Sequence, residues 1–251
     1  MITLQEICHY LDRLLCVSDF KDYGPNGLQV QGNQSVKKIG TAVSASLETL
    51  EQAANEGVDC LIVHHGIFWD RDALPIVGTK KQKIDLLIQN NLSLLAYHLP
   101  LDAHEEYGNN WRVGKDLGWS SLEPFGESNG AYLGVRGVLN SVHRDQLVTD
   151  LSDYYGHDCQ LVAGGPETID TVACVSGGAH RLLLSAAKEG IDCFITGTVD
   201  EPVWHWGYEE KINFMAFGHS ATERVGPKAL GRHIEDIFQI PVTFIDVYNP
   251  F

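Results

Sequence analysis

Basic residues are scarce in this chain: 18 Lys and Arg stand against 33 Asp and Glu, for a formal net charge of −15 at pH 7. So acidic a surface argues against non-specific nucleic-acid binding and against attachment to anionic membranes, since both need basic patches. An anionic small molecule stays open as a substrate, because a bound cation reverses the local field. The six cysteines (8, 16, 60, 159, 174 and 193) include no CxxC pair, which argues against a zinc ribbon or a thioredoxin-type redox site. Cys60 in VDCLIV and Cys193 in IDCFI lie inside apolar runs, where cysteine acts as a small buried hydrophobe. Reduced thiols in a cytoplasmic protein are the expectation. No stretch approaches the ~20 apolar residues of a membrane span. The first residues, MITLQEICHYLDRLL, spread charge along what reads as an amphipathic helix, unlike a signal peptide. Walker and GxSxG motifs are missing. GGAHR at Gly177–Arg181 falls short of the dinucleotide fingerprint and reads as a tight turn between strand and helix.

What is present is enough apolar residue for real cores: 251 residues, 44% of them hydrophobic, fit one large domain or two small ones. A repeat organises them. AANEGVDCLIVHHG from Ala53 matches AAKEGIDCFITGTV from Ala186, and TAVS at Thr41–Ser44 is echoed by ACVS at Ala173–Ser176. Each copy reads as strand, helix, strand, then a further strand. In the first copy these are Lys38–Val43, Ser46–Glu56, Cys60–Val63 and Leu92–Tyr97, with another helix at Lys83–Gln89. In the second they are Thr171–Val175, Arg181–Glu189, Ile191–Ile195 and Asn213–Phe217. The expected fold is therefore α/β: two related lobes by internal duplication, residues 1–125 and 126–251, with mostly parallel sheets. EPFGESNG at Glu123–Gly130 reads as the turn-rich connector, and 131–165 is the least legible stretch.

Candidate chemistry gathers at strand ends, where open α/β sheets bind ligands. His64 and His65 follow strand Cys60–Val63 directly. His98 follows Leu92–Tyr97, with Asp102 and His104 just beyond, and His219 follows Asn213–Phe217 after one glycine. His219 and Glu223 in HSATE are four residues apart, so a helix sets them on one face. Neighbouring side chains inside a strand point to opposite faces, so the HH pair needs the turn that Gly66 offers. Both rings then reach one ion, or each reaches a different ion of a pair. His64, His65, Asp102, His219 and Glu223 fit a dinuclear site, with Glu223 or Asp102 bridging ions ~3.5–4 Å apart. Mixed nitrogen and oxygen donors favour Zn, Mn, Fe or Co over Ca or Mg. His98 is a candidate acid–base group or a residue that orients a ligand. His104 reads as a loop histidine, and HWG at His205–Gly207 as aromatic packing.

VHHG at Val63–Gly66, HLPLDAH at His98–His104, GNN at Gly108–Asn110, ITG at Ile195–Gly197 and GHSATER at Gly218–Arg224 together resemble the Nif-three-like family. PNGLQV at Pro25–Val30 and the terminal VTFIDVYNP fit too, so the resemblance spans the chain. Its bacterial members carry the label GTP cyclohydrolase I type 2 homologue. The resemblance implies two α/β lobes with a dinuclear metal site between them, toroidal homohexamers, and His64, His65, Asp102, His219 and Glu223 as the ligands. It also implies hydrolytic opening of the guanine imidazole ring of GTP with release of formate. Two function classes follow: a metal-dependent hydrolase of a nucleotide-like or other small anionic substrate, or a non-enzymatic metal-binding carrier or adaptor acting as an oligomer.

Overall fold

The computed structural model describes residues 2–251 and divides them into two compact units. One holds the described residues up to Leu101 together with Pro227–Tyr248, and the other holds Asp102–Gly226 with Asn249–Phe251. Both are α/β.

The first unit opens on helix Leu4–Leu14, which buries Leu4, Ile7 and Leu11 on one face. A capping box starts it: Thr3 accepts from the Glu6 N–H, and the Glu6 carboxylate accepts from the Thr3 N–H. The five-stranded sheet runs Val242–Phe244, Ile39–Ser44, Cys60–His65, Ser93–Ala96, Gly27–Val30. Its first four strands are parallel, and Gly27–Val30 pairs antiparallel on the far edge. Helix Leu47–Asn55 starts at Ser46, whose hydroxyl accepts from the Thr49 N–H.

In the second unit a six-stranded sheet runs Ser120–Ser128, Ala131–His143, Thr168–Cys174, Cys193–Thr196, Asn213–Ala216, Gln160–Ala163. Its middle three are parallel and the flanking strands antiparallel. The apolar runs are continuous because the sheet is covered on both faces. Val172, Cys174, Cys193, Ile195 and Met215 belong to one core, while Ala173, Phe194, Phe214 and Ala216 belong to the other. That is the two-residue period of a strand with both faces apolar.

The two sheets repeat one pattern: three adjacent parallel strands in chain order, then an antiparallel strand beside the third. The shared residues AAxEGxDC explain themselves locally. Gly57 and Gly190 follow their helices with φ of +67° and +73°. Asp59 then accepts the N–H groups of Lys37 and Lys38, as Asp192 accepts those of Asp170 and Thr171. Each aspartate thus pins the start of its own strand to the neighbouring one.

Two expectations need correcting. Glu123–Gly130 is no connector: most of it lies in strand Ser120–Ser128, which forms a hairpin with Ala131–His143. Pro124 is tolerated because the strand is at the sheet edge, and Asn129–Gly130 (φ 52° and 88°) make the two-residue turn. The illegible stretch 131–165 resolves into that second hairpin strand, helix Arg144–Tyr155 and strand Gln160–Ala163.

Candidate metal centre

His64 and His65 are the last two residues of their strand rather than the first two beyond it; Ser44 still pairs with His65. Their rings nevertheless approach, with centroids 4.6 Å apart. Each ring is held from behind. His64, fully buried, has Nδ1 3.0 Å from the carbonyl oxygen of Tyr97, and His65 has Nδ1 2.9 Å from Ser44 Oγ. Gly66 is needed for space: a Cβ there would stand 2.3 Å from Gln29 Oε1, the oxygen that accepts from the Ile67 N–H at 2.9 Å. Gln29 thus fixes the backbone leaving the histidine pair.

His98 joins this cluster. Its ring lies 5.0 Å from that of His64 and 5.5 Å from that of His65, and the edge of Trp69 meets it at 5.2 Å. A nitrogen from each of His64, His65 and His98 lies within 4.8 Å of the other two. His98 Nδ1 is 2.7 Å from Asp22 Oδ1. Asn26 steadies the pair, donating its amide to Asp22 Oδ2 while its oxygen accepts the His98 N–H. Burial raises the Asp22 carboxyl, but the hydrogen bond and charge of His98, with help from Asn26 and the Tyr23 N–H, outweigh it and hold the group below the ordinary aspartate value.

Asp102, His219 and Glu223 lie in the second unit. Asp102, on the short helix Leu99–Ala103, is 6% exposed, and its Oδ1 accepts from Asn109 Nδ2 at 2.9 Å and Ser176 Oγ at 3.0 Å. The GNN motif is the frame for this carboxylate. Asn109 turns its oxygen to the Gly226 N–H, and Asn110 bridges the Leu133 carbonyl and the Ser176 N–H. Both asparagines are fully buried.

His219 starts a four-residue helix, His219–Thr222, and Glu223 caps its C-terminal end. The expected pairing holds, with His219 Nε2 3.1 Å from Glu223 Oε1. Asp102 and Glu223 bring carboxylate oxygens within 4.8 Å of each other. Gly177 makes room for Glu223: at φ +64°, a Cβ on it would stand 2.2 Å from Glu223 Oε1. The tight turn read into GGAHR is therefore also a wall of the site. His104 accepts from the Glu106 and Tyr107 N–H groups as a loop residue, and His205 sits on an exposed helix face.

His, Asp and Glu thus gather in clusters that could hold a metal ion. Imidazoles backed by carbonyl, hydroxyl or carboxylate oxygen, beside buried carboxylates, are donors of the kind that Zn, Fe, Mn and Co take. Sequence reading gave no role to Asp22, Asn26, Gln29 or Ser176 and read Gly177 only as part of a turn; the PNGLQV motif and the glycine doublet carried the signal.

Comparison with known proteins follows from this geometry. A sequence profile for Duf34/NIF3 (NGG1p interacting factor 3) matches residues 2–250. The chain belongs to the Duf34/NIF3 family. Among curated NIF3 relatives, a Chlamydia pneumoniae protein called GTP cyclohydrolase 1 type 2 homolog is 50% identical over 252 residues, covering 100% of both chains. Among solved structures, protein ybgI (described as of unknown function) superposes with a TM-score of 0.93 at 37% identity, covering 100% of both chains. A crystal structure of a Thermus thermophilus protein gives a TM-score of 0.92, also at 37% identity and 100% coverage of both. Among the described residues, no helix is long and apolar enough to cross a membrane.

Proposed function

We propose that this NIF3 protein binds two divalent transition-metal ions through His64, His65, Asp102, His219 and Glu223, and uses them to hydrolyse a nucleotide-like or other small anionic substrate. The observation that carries the reading is the donor set: His64, Asp102 and Glu223 are buried, His64, His65 and Asp102 are each held by a further residue, and Gly177 leaves room for Glu223. Ions of this kind acidify water and polarise an electrophile, which is the chemistry hydrolysis needs. The chain's own residues hold the donors in place: Tyr97 and Ser44 orient the two histidines, and Asn109 and Ser176 orient Asp102. The name GTP cyclohydrolase 1 type 2 homolog, carried by the Chlamydia relative, supports a nucleoside triphosphate as the first substrate to try. A cytoplasmic homohexamer, arranged as a toroid, is part of the same proposal.

A second reading has support of its own. The family's description, NGG1p interacting factor 3, names an interaction rather than a reaction. Under it the protein is a non-enzymatic metal-binding carrier or adaptor.

The deciding measurement is metal content per chain on untagged protein by mass spectrometry, followed by a nucleotide and phosphoester panel with Zn, Mn, Fe or Co loaded. About two ions per chain are expected, falling in His64→Ala and Glu223→Ala. Turnover lost in Glu223→Ala supports the hydrolase; bound metal with no turnover across the panel supports the carrier. Absence of metal after reconstitution removes both.

A further inference from the structure

The six-stranded sheet of the second unit ends on two unlike edges. Strand Ser120–Ser128 is defended in the usual way: Pro124 removes a donor, Glu123 and Glu127 bring charge, and the register slips between Ser120 and Glu123. Strand Gln160–Ala163, with the sequence QLVA, has none of these devices. It holds neither proline nor charge, and it pairs with Asn213–Ala216 through four consecutive residues without a bulge. No further strand lies on its outer side, so its main-chain groups there suit an extended chain. Beside it is a groove of about 420 Å³, lined by Leu161 and Val162 of the strand and by Val199, Asp200, Glu201 and Trp204. Helix Pro202–Glu210, which carries Trp204, packs closely on the strand: a Cβ on Gly207 would stand 2.7 Å from Val162 Cγ1. Trp206 of that helix lies against the core, but Trp204 is 55% exposed and Tyr208 is 48% exposed, their ring centroids 5.0 Å apart. Two large rings left in water beside an open strand edge mark a contact surface.

We propose that the Gln160–Ala163 edge and its groove bind an extended basic segment of a partner protein, which adds as a further strand and lays a Lys or Arg side chain across Trp204 toward Asp200 and Glu201. Charge selects this occupant. Both carboxylates are exposed, and Asp200 is held in place by accepting the Glu201 N–H at 2.8 Å, with His180 Nε2 at 3.6 Å from its other oxygen. No Lys or Arg is among the described residues that line the groove. A tryptophan face attracts a guanidinium or ammonium group, and the two carboxylates complete its recognition. A second copy of this chain fits less well. Pairing edge to edge about a two-fold axis would gather four carboxylates at one interface, in a protein of net charge −15. Side chains alternate along a strand, so every second residue of the bound segment faces the groove. Four residues of edge give few hydrogen bonds, which leaves Trp204 as the anchor of a weak, reversible contact. None of these residues is a proposed metal ligand, so the surface is independent of the metal reading.

The test uses the full chain and short fluorescein-labelled peptides in which Arg alternates with Val, read by fluorescence anisotropy. The Arg–Val peptide should bind. Trp204→Ala should weaken it ~10-fold or more, and Asp200→Asn combined with Glu201→Gln about 2–5-fold, with a flatter salt dependence. N-methylation of alternate peptide residues keeps the charge but removes main-chain donors. Made in both registers, it should weaken binding at least ~10-fold in one and spare the other. Equal binding by the two N-methylated peptides overturns strand addition. Equal binding by a peptide with Glu in place of Arg overturns the charge assignment. A Trp204→Ala variant that folds by circular dichroism and binds as tightly as wild type overturns the groove. No binding of the Arg–Val peptide at about 1 mM overturns the proposal whole. If, besides, Trp204→Ala lowers the assembly mass in sedimentation velocity, the surface belongs to a second copy of the chain instead.

Discussion

Replacing Gly177 by alanine should do two separable things. The first is conformational: at φ +64° an L-residue pays about 1–2 kcal/mol for the left-handed backbone. The second is steric. The new Cβ would stand 2.2 Å from Glu223 Oε1, where ordinary contact begins at 3.4 Å, so something must move by more than an ångström. The backbone at Gly177 resists, because its carbonyl accepts from Gly197 N, Thr198 N and Thr196 Oγ1 while its N–H donates to Thr222. The Glu223 carboxylate is therefore the group displaced. Gly190→Ala is the matched control: φ is +73° and nothing lies within 4 Å of the added carbon. Each variant should lose about 1–2 kcal/mol in urea unfolding of the metal-free protein, a fall of roughly 2–8 °C in Tm. Gly177→Ala alone should also lose metal, because its proposed ligand no longer reaches. Equal metal content in the two variants would refute the claim that Gly177 exists to admit Glu223.

Two further outcomes follow from the same structure. Asp59→Ala and Asp192→Ala each remove a half-buried carboxylate that accepts two backbone N–H groups, so each should cost about 1–3 kcal/mol in urea unfolding without changing metal content. All six cysteines are free, and of these Cys16 is the exposed one, while Cys60, Cys174 and Cys193 are fully buried. Burial pushes the Cys174 thiol up to about 12 and raises those of Cys60 and Cys193 well above the ordinary thiol value. A thiol reagent at pH 8 should thus label Cys16 first and leave these three until the protein unfolds; early labelling of Cys193 would contradict the double-sided core around its strand.

The sheets were legible because their strands are covered on both faces, so Cys60–Val63 and Cys193–Ile195 read as unbroken apolar runs at the same place in each repeat. The hairpin at Ser120–His143 was not, since a proline on an edge strand looks like a turn until the strand's place in the sheet is known. Site residues divide in the same way. Histidines at strand ends announce themselves, but the groups that brace them come from far along the chain. Asp22 meets His98 across 76 residues, and Ser176 meets Asp102 across 74. No local spacing encodes such a pair.

The repeat carries one more argument. Its two copies agree where a strand begins: glycine ends the helix, and aspartate ties the new strand to its neighbour. They disagree where the strand ends, with VHH at Val63–His65 against TGT at Thr196–Thr198. Residues that build a sheet must be present in both copies, because both sheets need the same pins. Residues that do chemistry have no such obligation. In the first copy the strand end carries two imidazoles, whereas in the second Thr196 Oγ1 and the Gly197 and Thr198 N–H groups all turn to the Gly177 carbonyl, fixing the turn beside Glu223. One end carries proposed ligands, and the other holds the turn beside a further proposed ligand, Glu223. Breaking that support with Thr196→Val should therefore lower metal content less than Glu223→Ala does, and a loss as complete would mean that Thr196 touches the ion itself.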